Sequence, residues 1–189
     1  MTAARDTLAD CALAALAQSG DETAFAEIMH RHRAALYRLA LGFTGDADEA
    51  LDLVQESFVT AFRNLARYDR TRALRPWLST IALNRCRDWR RKQRVRGMFL
   101  PAATVPDAVI QATADDAPDP ETVAADKASL AILIRHVATL PAKLRDVLLL
   151  RTVEGLSQAE TAEALGITAK AVETRLARAR SQLAEKLSR

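Results

Sequence analysis

Apolar positions recur along most of the chain at steps of three and four residues, the spacing that lays one stripe along an α-helix. Near the C-terminal end Val172, Leu176, Ala179, Leu183 and Leu187 form such a stripe. At about 100° per residue, Lys170, Thr174, Ala177, Arg178 and Ser181 fall on the opposite side. Just upstream, Ser157 and Glu160 are spaced as a capping box, Gly166 can end a helix in the left-handed conformation, and Thr168 is a good N-cap. Two helices joined by so short a turn form a helix-turn-helix. Small side chains and cations on the outer face of the second helix suit close approach to DNA, where they meet phosphates or guanine edges. The plainer reading of the same pattern is a helical hairpin with a solvated basic face.

The rest of the chain continues in helical period. A first helix is predicted over 7–18, and Asp21 caps a second to Leu41, with Phe25, Ile28, Met29, Leu36, Leu39 and Ala40 as core. Gly42 to Gly45 reads as a break. Asp46 or Asp48 then caps a helix over 47–65, with Leu51, Val54, Phe58, Phe62 and Leu65 on its apolar side and Asp52, Gln55 and Glu56 elsewhere on its surface. Residues 66–74 read as a polar, basic loop, after which Pro76 fits the first turn of a helix over 75–95. Leu78, Ile81, Ala82 and Trp89 make that helix's apolar stripe, and Asn84 with Arg87, Arg90, Arg91 and Arg94 lies outside it. From Gly97 the periodicity fails, and Pro101, Pro106, Pro118 and Pro120 mark a flexible, acidic linker over 97–119. Helices resume over 120–139 and, opened by Pro141, through Leu150. With no alternating strand pattern between turn residues, the expected class is all-α, as two small helical domains, 1–96 and 120–189.

Charge sharpens this division. The net charge is only +3. Residues 63–96 nevertheless carry 12 basic and 2 acidic side chains, and 165–189 carry 6 and 2. Between them, 97–126 holds 6 acids and no Lys or Arg. Two basic blocks separated by an acidic one point to two contacts with a polyanion. Arginines beside Tyr68 and Trp77 suit single-stranded nucleic acid, in which bases seek aromatic faces and phosphates seek cations. For Trp89, core packing is the expected role.

Other chemistries are poorly represented. Cys11 and Cys86 lack ligand-like spacing, and His30 and His32 face different ways on a helix, so no metal site is expected. No cofactor loop or triad is visible, which argues against an enzyme. No membrane-length apolar run or signal pattern appears, so a cytoplasmic protein without membrane insertion is expected.

The order of these parts resembles the bacterial sigma factors of the short, extracytoplasmic-function type. Phe25 to Tyr37, Asp52-Leu-Val-Gln-Glu56 with Phe58 and Phe62, Pro76 to Asp88, Leu140-Pro141 with the following Leu/Val run, and Gly155 to Arg180 carry the resemblance over roughly 22–96 and 122–187. It implies sigma domains two and four, partnered by core RNA polymerase, through the clamp coiled coil of the largest subunit and the flap of the second, by promoter DNA and by an anti-sigma factor. On the matching positions, Asp52, Gln55 and Glu56 are expected to bind polymerase. Tyr68, Arg70, Arg72, Arg75, Trp77, Asn84, Arg85, Asp88 and Arg91 are expected at the minus-ten element, where a base leaves the stack to be read. Thr168, Lys170, Glu173, Thr174, Arg175 and Arg178 are expected at the minus-thirty-five element.

Two positions depart from the family pattern. Glu173 stands where many members carry a cation, and Thr161 replaces a bulky aliphatic residue. The competing readings are a dimeric helix-turn-helix regulator with a helical N-terminal sensing domain, which leaves the arginine-rich 63–96 block unexplained, and a helical adaptor for acidic proteins, which leaves the helix-turn-helix unexplained.

Overall fold

The computed structural model describes residues 8–95 and 120–188, and among them every regular element is helical. The helices are α1 (Asp10–Gln18), α2 (Glu22–Thr44), α3 (Ala47–Asn64), α4 (Leu74–Val95), α5 (Pro120–Thr139), α6 (Ala142–Thr152), α7 (Gln158–Leu165) and α8 (Ala169–Leu187), with a single 3-10 turn at Leu65–Arg67. The predicted linker 97–119 lies outside the described residues.

Local chemistry sets the boundaries. Asp21 accepts from the backbone N–H groups of Thr23 and Ala24 to start α2, and Asp46 does the same for α3 from Asp48 and Glu49. Ser157 and Glu160 form the full capping box of α7, Gly166 closes it at φ 63°, and Thr168 caps α8.

The predicted break at Gly42 does not occur. Helix α2 runs through it to Thr44 and ends at Gly45, whose φ is 68°. Gly42 is instead a notch, because a Cβ placed there would stand 2.6 Å from Leu149 Cδ2. Its role is tertiary, which local turn rules do not report. Three residues predicted as buried are also more open than expected. Met29 and Phe62 on the N-terminal half, and Leu187 at the end of α8, are all exposed.

Helices α1 to α4 pack around Leu13, Ile28, Leu36, Leu39, Leu78 and Leu83, while α6 to α8 close around Val147, Leu150, Leu156, Val172 and Ala179. The halves touch directly. Helix α2 lies against α5 and α6, α4 lies against α7, and the buried apolar cluster is continuous from α1 to α8. This joint brings the 66–74 loop and α4 up against the helix-turn-helix.

Candidate nucleic-acid and polymerase interface

Asp52, Gln55 and Glu56 are all exposed on α3. Val59 and Phe62 follow at helical steps on the same face and are 48% and 50% exposed. The acidic face therefore continues into an apolar one, with Phe62 held edge-on against Phe25 at 5.0 Å between ring centroids. Sequence periodicity placed Phe62 on the buried side because α3 is apolar around a wide arc. Phe62 sits at the margin of that arc.

The 66–74 loop is built around Tyr68. Its ring is buried, its hydroxyl donates to the carbonyl of Arg72 at 2.5 Å, and its own carbonyl accepts from Gln18 of α1. Burial also pushes the phenol pKa up. Tyr68 thus shapes the loop rather than offering a free stacking face. Trp77 is half-buried and packs at 4.9 Å from Tyr68, presenting the accessible aromatic edge. Asp69 accepts from the backbone N–H and hydroxyl of Thr71, which hold its carboxyl below the usual range.

These residues line a cleft of about 530 Å³ formed by Arg67, Tyr68, Asp69, Arg72, Trp77 and Thr80 on one side and α7 on the other. Arg70 and Arg75 are exposed nearby. Farther along α4, Asn84 is exposed, Arg85 donates to Thr60 Oγ1 at 2.9 Å, and Asp88 pairs with Arg91 at 3.1 Å. The minus-ten candidates therefore fall into a loop group around the cleft and a second group on the outer side of α4. Trp89 is buried and donates its indole N–H to Glu49 at 2.6 Å, the core role expected of it.

On α8, Lys170, Glu173, Thr174 and Arg178 are exposed, with Thr168 at the N-terminus and Arg175 half-buried. Val172, Ala179 and Leu183 face inward. The Glu173 carboxylate bonds Lys170 Nζ at 3.0 Å, so the departure from a cation at this position ties down a neighbouring one. Thr161 is buried, and its hydroxyl has no hydrogen-bond partner.

The sequence reading missed the polar contacts at the joint. Glu154 is fully buried, accepts from Ser79 Oγ at 2.7 Å and lies 3.8 Å from Arg75 Nε. Asp146 is buried and receives two hydrogen bonds from Arg87, at 2.7 and 3.0 Å. Arg145 is buried over the ring of Phe43 at 4.7 Å and donates to the carbonyls of Ala138 and Leu140. Desolvation, then repulsion by Arg90, brings its pKa down to about 10. At the surface, Arg72 pairs with Glu163 at 2.7 Å. The available sequence signal was weak: Asp146 and Glu154 are acids set in or beside the apolar run of α6.

Among the described residues no cluster of His, Cys, Asp and Glu could hold a metal ion, and no helix is long and apolar enough to cross a membrane.

Two family models match the chain: Sigma-70 region 2 over residues 28–96 and Sigma-70, region 4 over 130–183. Among curated relatives, the RNA polymerase sigma factor NccH of Alcaligenes xylosoxydans xylosoxydans is 37% identical over 94% of both chains. CnrH of Cupriavidus metallidurans is 38% identical, covering 93% of this chain and 92% of its own. A solved structure of CnrH in complex with the cytosolic domain of CnrY superposes with a TM-score of 0.72 at 32% identity, over 95% of this chain and 97% of that one. The fold also matches the sigma factor RpoE of Bartonella quintana, solved in complex with the anti-sigma factor NepR, with a TM-score of 0.68 over 87% of this chain and 96% of that one.

Proposed function

The chain belongs to the sigma-70 family of RNA polymerase sigma factors, extracytoplasmic-function type, and we propose how its individual surfaces serve that membership. An alternative sigma factor binds core RNA polymerase, directs it to particular promoters and helps open them. In the reading proposed here, residues 1–96 form domain two, 97–119 connect, and 120–189 form domain four.

The exposed face of α3 docks on the clamp coiled coil of the polymerase's largest subunit. Asp52, Gln55 and Glu56 supply the polar rim, and Val59 and Phe62 supply an apolar centre of the kind that carries binding energy in interfaces. The cleft of the 66–74 loop receives a base of the opened minus-ten strand against Trp77, with Arg70, Arg72 and Arg75 on its phosphates. Asn84, Arg85, Asp88 and Arg91 meet the strand farther along α4. The outer face of α8, with Thr168, Lys170, Glu173, Thr174, Arg175 and Arg178, reads the minus-thirty-five element in the major groove. A bidentate base contact is worth about 1–3 kcal/mol, so one short helix discriminates modestly, and both domains must act together. Domain four also meets the flap of the second subunit. The 38% identity to CnrH, a relative solved with the cytosolic domain of CnrY, supports a dedicated anti-sigma partner.

The observation that carries this reading is the α3 face, exposed and continuous from acid to aromatic. Run-off transcription with core polymerase on a pooled promoter library tests it. New start sites that depend on the chain, and vanish when Asp52 and Glu56 are reversed to Lys, are the expected result. Protein-dependent footprints on palindromic duplex without core, and no stimulation of core, would overturn it in favour of a dimeric regulator.

A further inference from the structure

The loop that forms the cleft is held by a residue far from it in the chain. Gln18, the last residue of α1, is partly buried. Its side-chain amide donates to the carbonyl of Leu65 at 2.8 Å and to that of Tyr68 at 2.9 Å, partners 47 and 50 residues away. The Leu65 carbonyl also accepts from the backbone N–H of Tyr68, which closes the turn at Leu65–Arg67. A planar amide carries two N–H donors, so this one side chain ties both ends of the turn together. Carbonyls at the end of a helix lack partners within it, and Gln18 supplies a donor from outside. On the far side of the loop the Tyr68 hydroxyl holds the carbonyl of Arg72, and the Tyr68 ring packs on Trp77. Gln18 thus fixes the backbone on which Tyr68 stands, and Tyr68 carries the loop and one face of Trp77.

Helix α1 is itself pinned in place. No side chain caps its N-terminus. Instead Asp10 accepts from Arg31 Nη1 at 3.2 Å and stands 2.7 Å from His32 Nε2, both on α2, while Arg31 also donates to the carbonyl of Leu8 at 2.6 Å. Leu13, Ala14 and Ala17 are buried along the helix, which packs on α2. Nine residues are too few for a helix to persist alone in water, so these contacts keep α1 folded. It therefore acts as a strut, anchored on α2 at one end and gripping the loop at the other. The strut lies upstream of the stretch matched to Sigma-70 region 2, and none of its residues belongs to the DNA-facing set read above.

We infer that Gln18 is a positioning residue of the minus-ten cleft: held by α1, its amide sets the carbonyls of Leu65 and Tyr68 and so orients the wall against which a base is read. The inference rests on the assignment of that cleft to an unstacked base. Gln18 touches no DNA in this arrangement. It acts through Tyr68 and Trp77, so its loss lowers selectivity among bases and slows promoter opening without weakening attachment to polymerase.

The test uses the full chain assembled with core polymerase. Single-stranded oligonucleotides carry the minus-ten element read from the pooled library, with each of the four bases in turn at every position. Discrimination is the ratio of affinities between the best and the worst base. Gln18→Leu keeps the side chain's bulk and removes both donors. The expected result is a fall in discrimination of about fivefold to tenfold, the scale of one or two lost hydrogen bonds, at the position that Trp77→Ala also affects. Promoter opening, followed by 2-aminopurine fluorescence, should slow by a similar factor while affinity for core polymerase stays unchanged. Gln18→Lys, which restores N–H donors at a similar reach, should recover most of the loss.

A second variant acts from the other end of the strut. Asp10→Ala removes the carboxylate that meets Arg31 and His32, about 12 Å along α1 from Gln18. It should shift discrimination at the same position in the same direction, by less. If Gln18→Leu lowers the melting temperature but leaves discrimination and opening as in the parent, while Trp77→Ala reduces both, Gln18 is a structural tie only and the inference is overturned. If Trp77→Ala alters neither quantity, the assignment of the cleft fails, and the inference with it.

Discussion

Ser79 of α4 and Glu154 of the helix-turn-helix half share a hydrogen bond of 2.7 Å across the joint, and neither side chain is reached by solvent. One oxygen of Glu154 accepts from Ser79 and the other has no hydrogen-bond partner. A buried carboxylate satisfied at one oxygen is expensive when ionised and far less so when protonated.

The joint should therefore respond to pH. Burial raises the pKa of Glu154, against lowering effects from the Ser79 hydrogen bond and from Arg75, Arg38 and His32, which face it. A folded pKa above the unfolded one means that the contribution to stability is fully present below the ordinary glutamate range. It is lost as pH rises through the folded value. Glu154→Gln keeps an acceptor for Ser79 and cannot ionise. Melting temperatures of the two proteins should coincide most closely at acid pH, and the variant should gain on the parent as pH rises. Parallel profiles would refute this.

Gly42→Ala should destabilise the chain. The added methyl would stand 2.6 Å from Leu149 Cδ2, so the Leu149 side chain must move to admit it. Overpacking costs about 1–3 kcal/mol, while the better helix propensity of Ala returns up to about 1 kcal/mol. Urea unfolding should show a net loss, and Leu149→Ala in the same chain should recover part of it. Additive losses would mean that the two residues do not meet.

Thr161→Val should stabilise. The hydroxyl is buried without a hydrogen-bond partner, so replacing it with a methyl of similar shape removes a desolvation cost of about 1–3 kcal/mol. A rise of several degrees in melting temperature is the expected reading, and a fall would indicate a buried water bound to Thr161.

Glu173→Ala should strengthen promoter binding by the holoenzyme and steepen its salt dependence. Its carboxylate now bonds Lys170 at 3.0 Å, and removing it frees that cation for a phosphate. One further phosphate contact adds about 0.9 to the slope of log affinity against log salt. An unchanged slope would show that Lys170 does not reach the backbone.

The caps and the within-half cores were legible in the sequence because they obey short-range rules. Asp21, Asp46, Ser157 with Glu160, Gly166 and Thr168 all act where local spacing places them. The basic loop and the outer face of α8 were legible for the same reason. The joint was not. Ser79 and Glu154 are 75 residues apart, and Arg87 and Asp146 are 59 apart, with no periodic signal linking either pair. Gly42 looked like a breaker because glycine's local meaning is conformational, whereas here it makes room for Leu149. Tyr68 looked like a stacking surface because an aromatic among arginines gives the same signal whether its ring faces out or anchors a loop.

The continuous apolar core has a consequence during synthesis. Gly42 and Phe43 of α2 leave the ribosome long before Leu149 and Arg145, which pack on them, exist. At about 5–20 residues per second, the roughly 100 residues between them take about 5–20 s to make. For that interval the nascent N-terminal half carries an uncovered apolar strip, and its need for chaperone protection should scale with the translation time between α2 and α6.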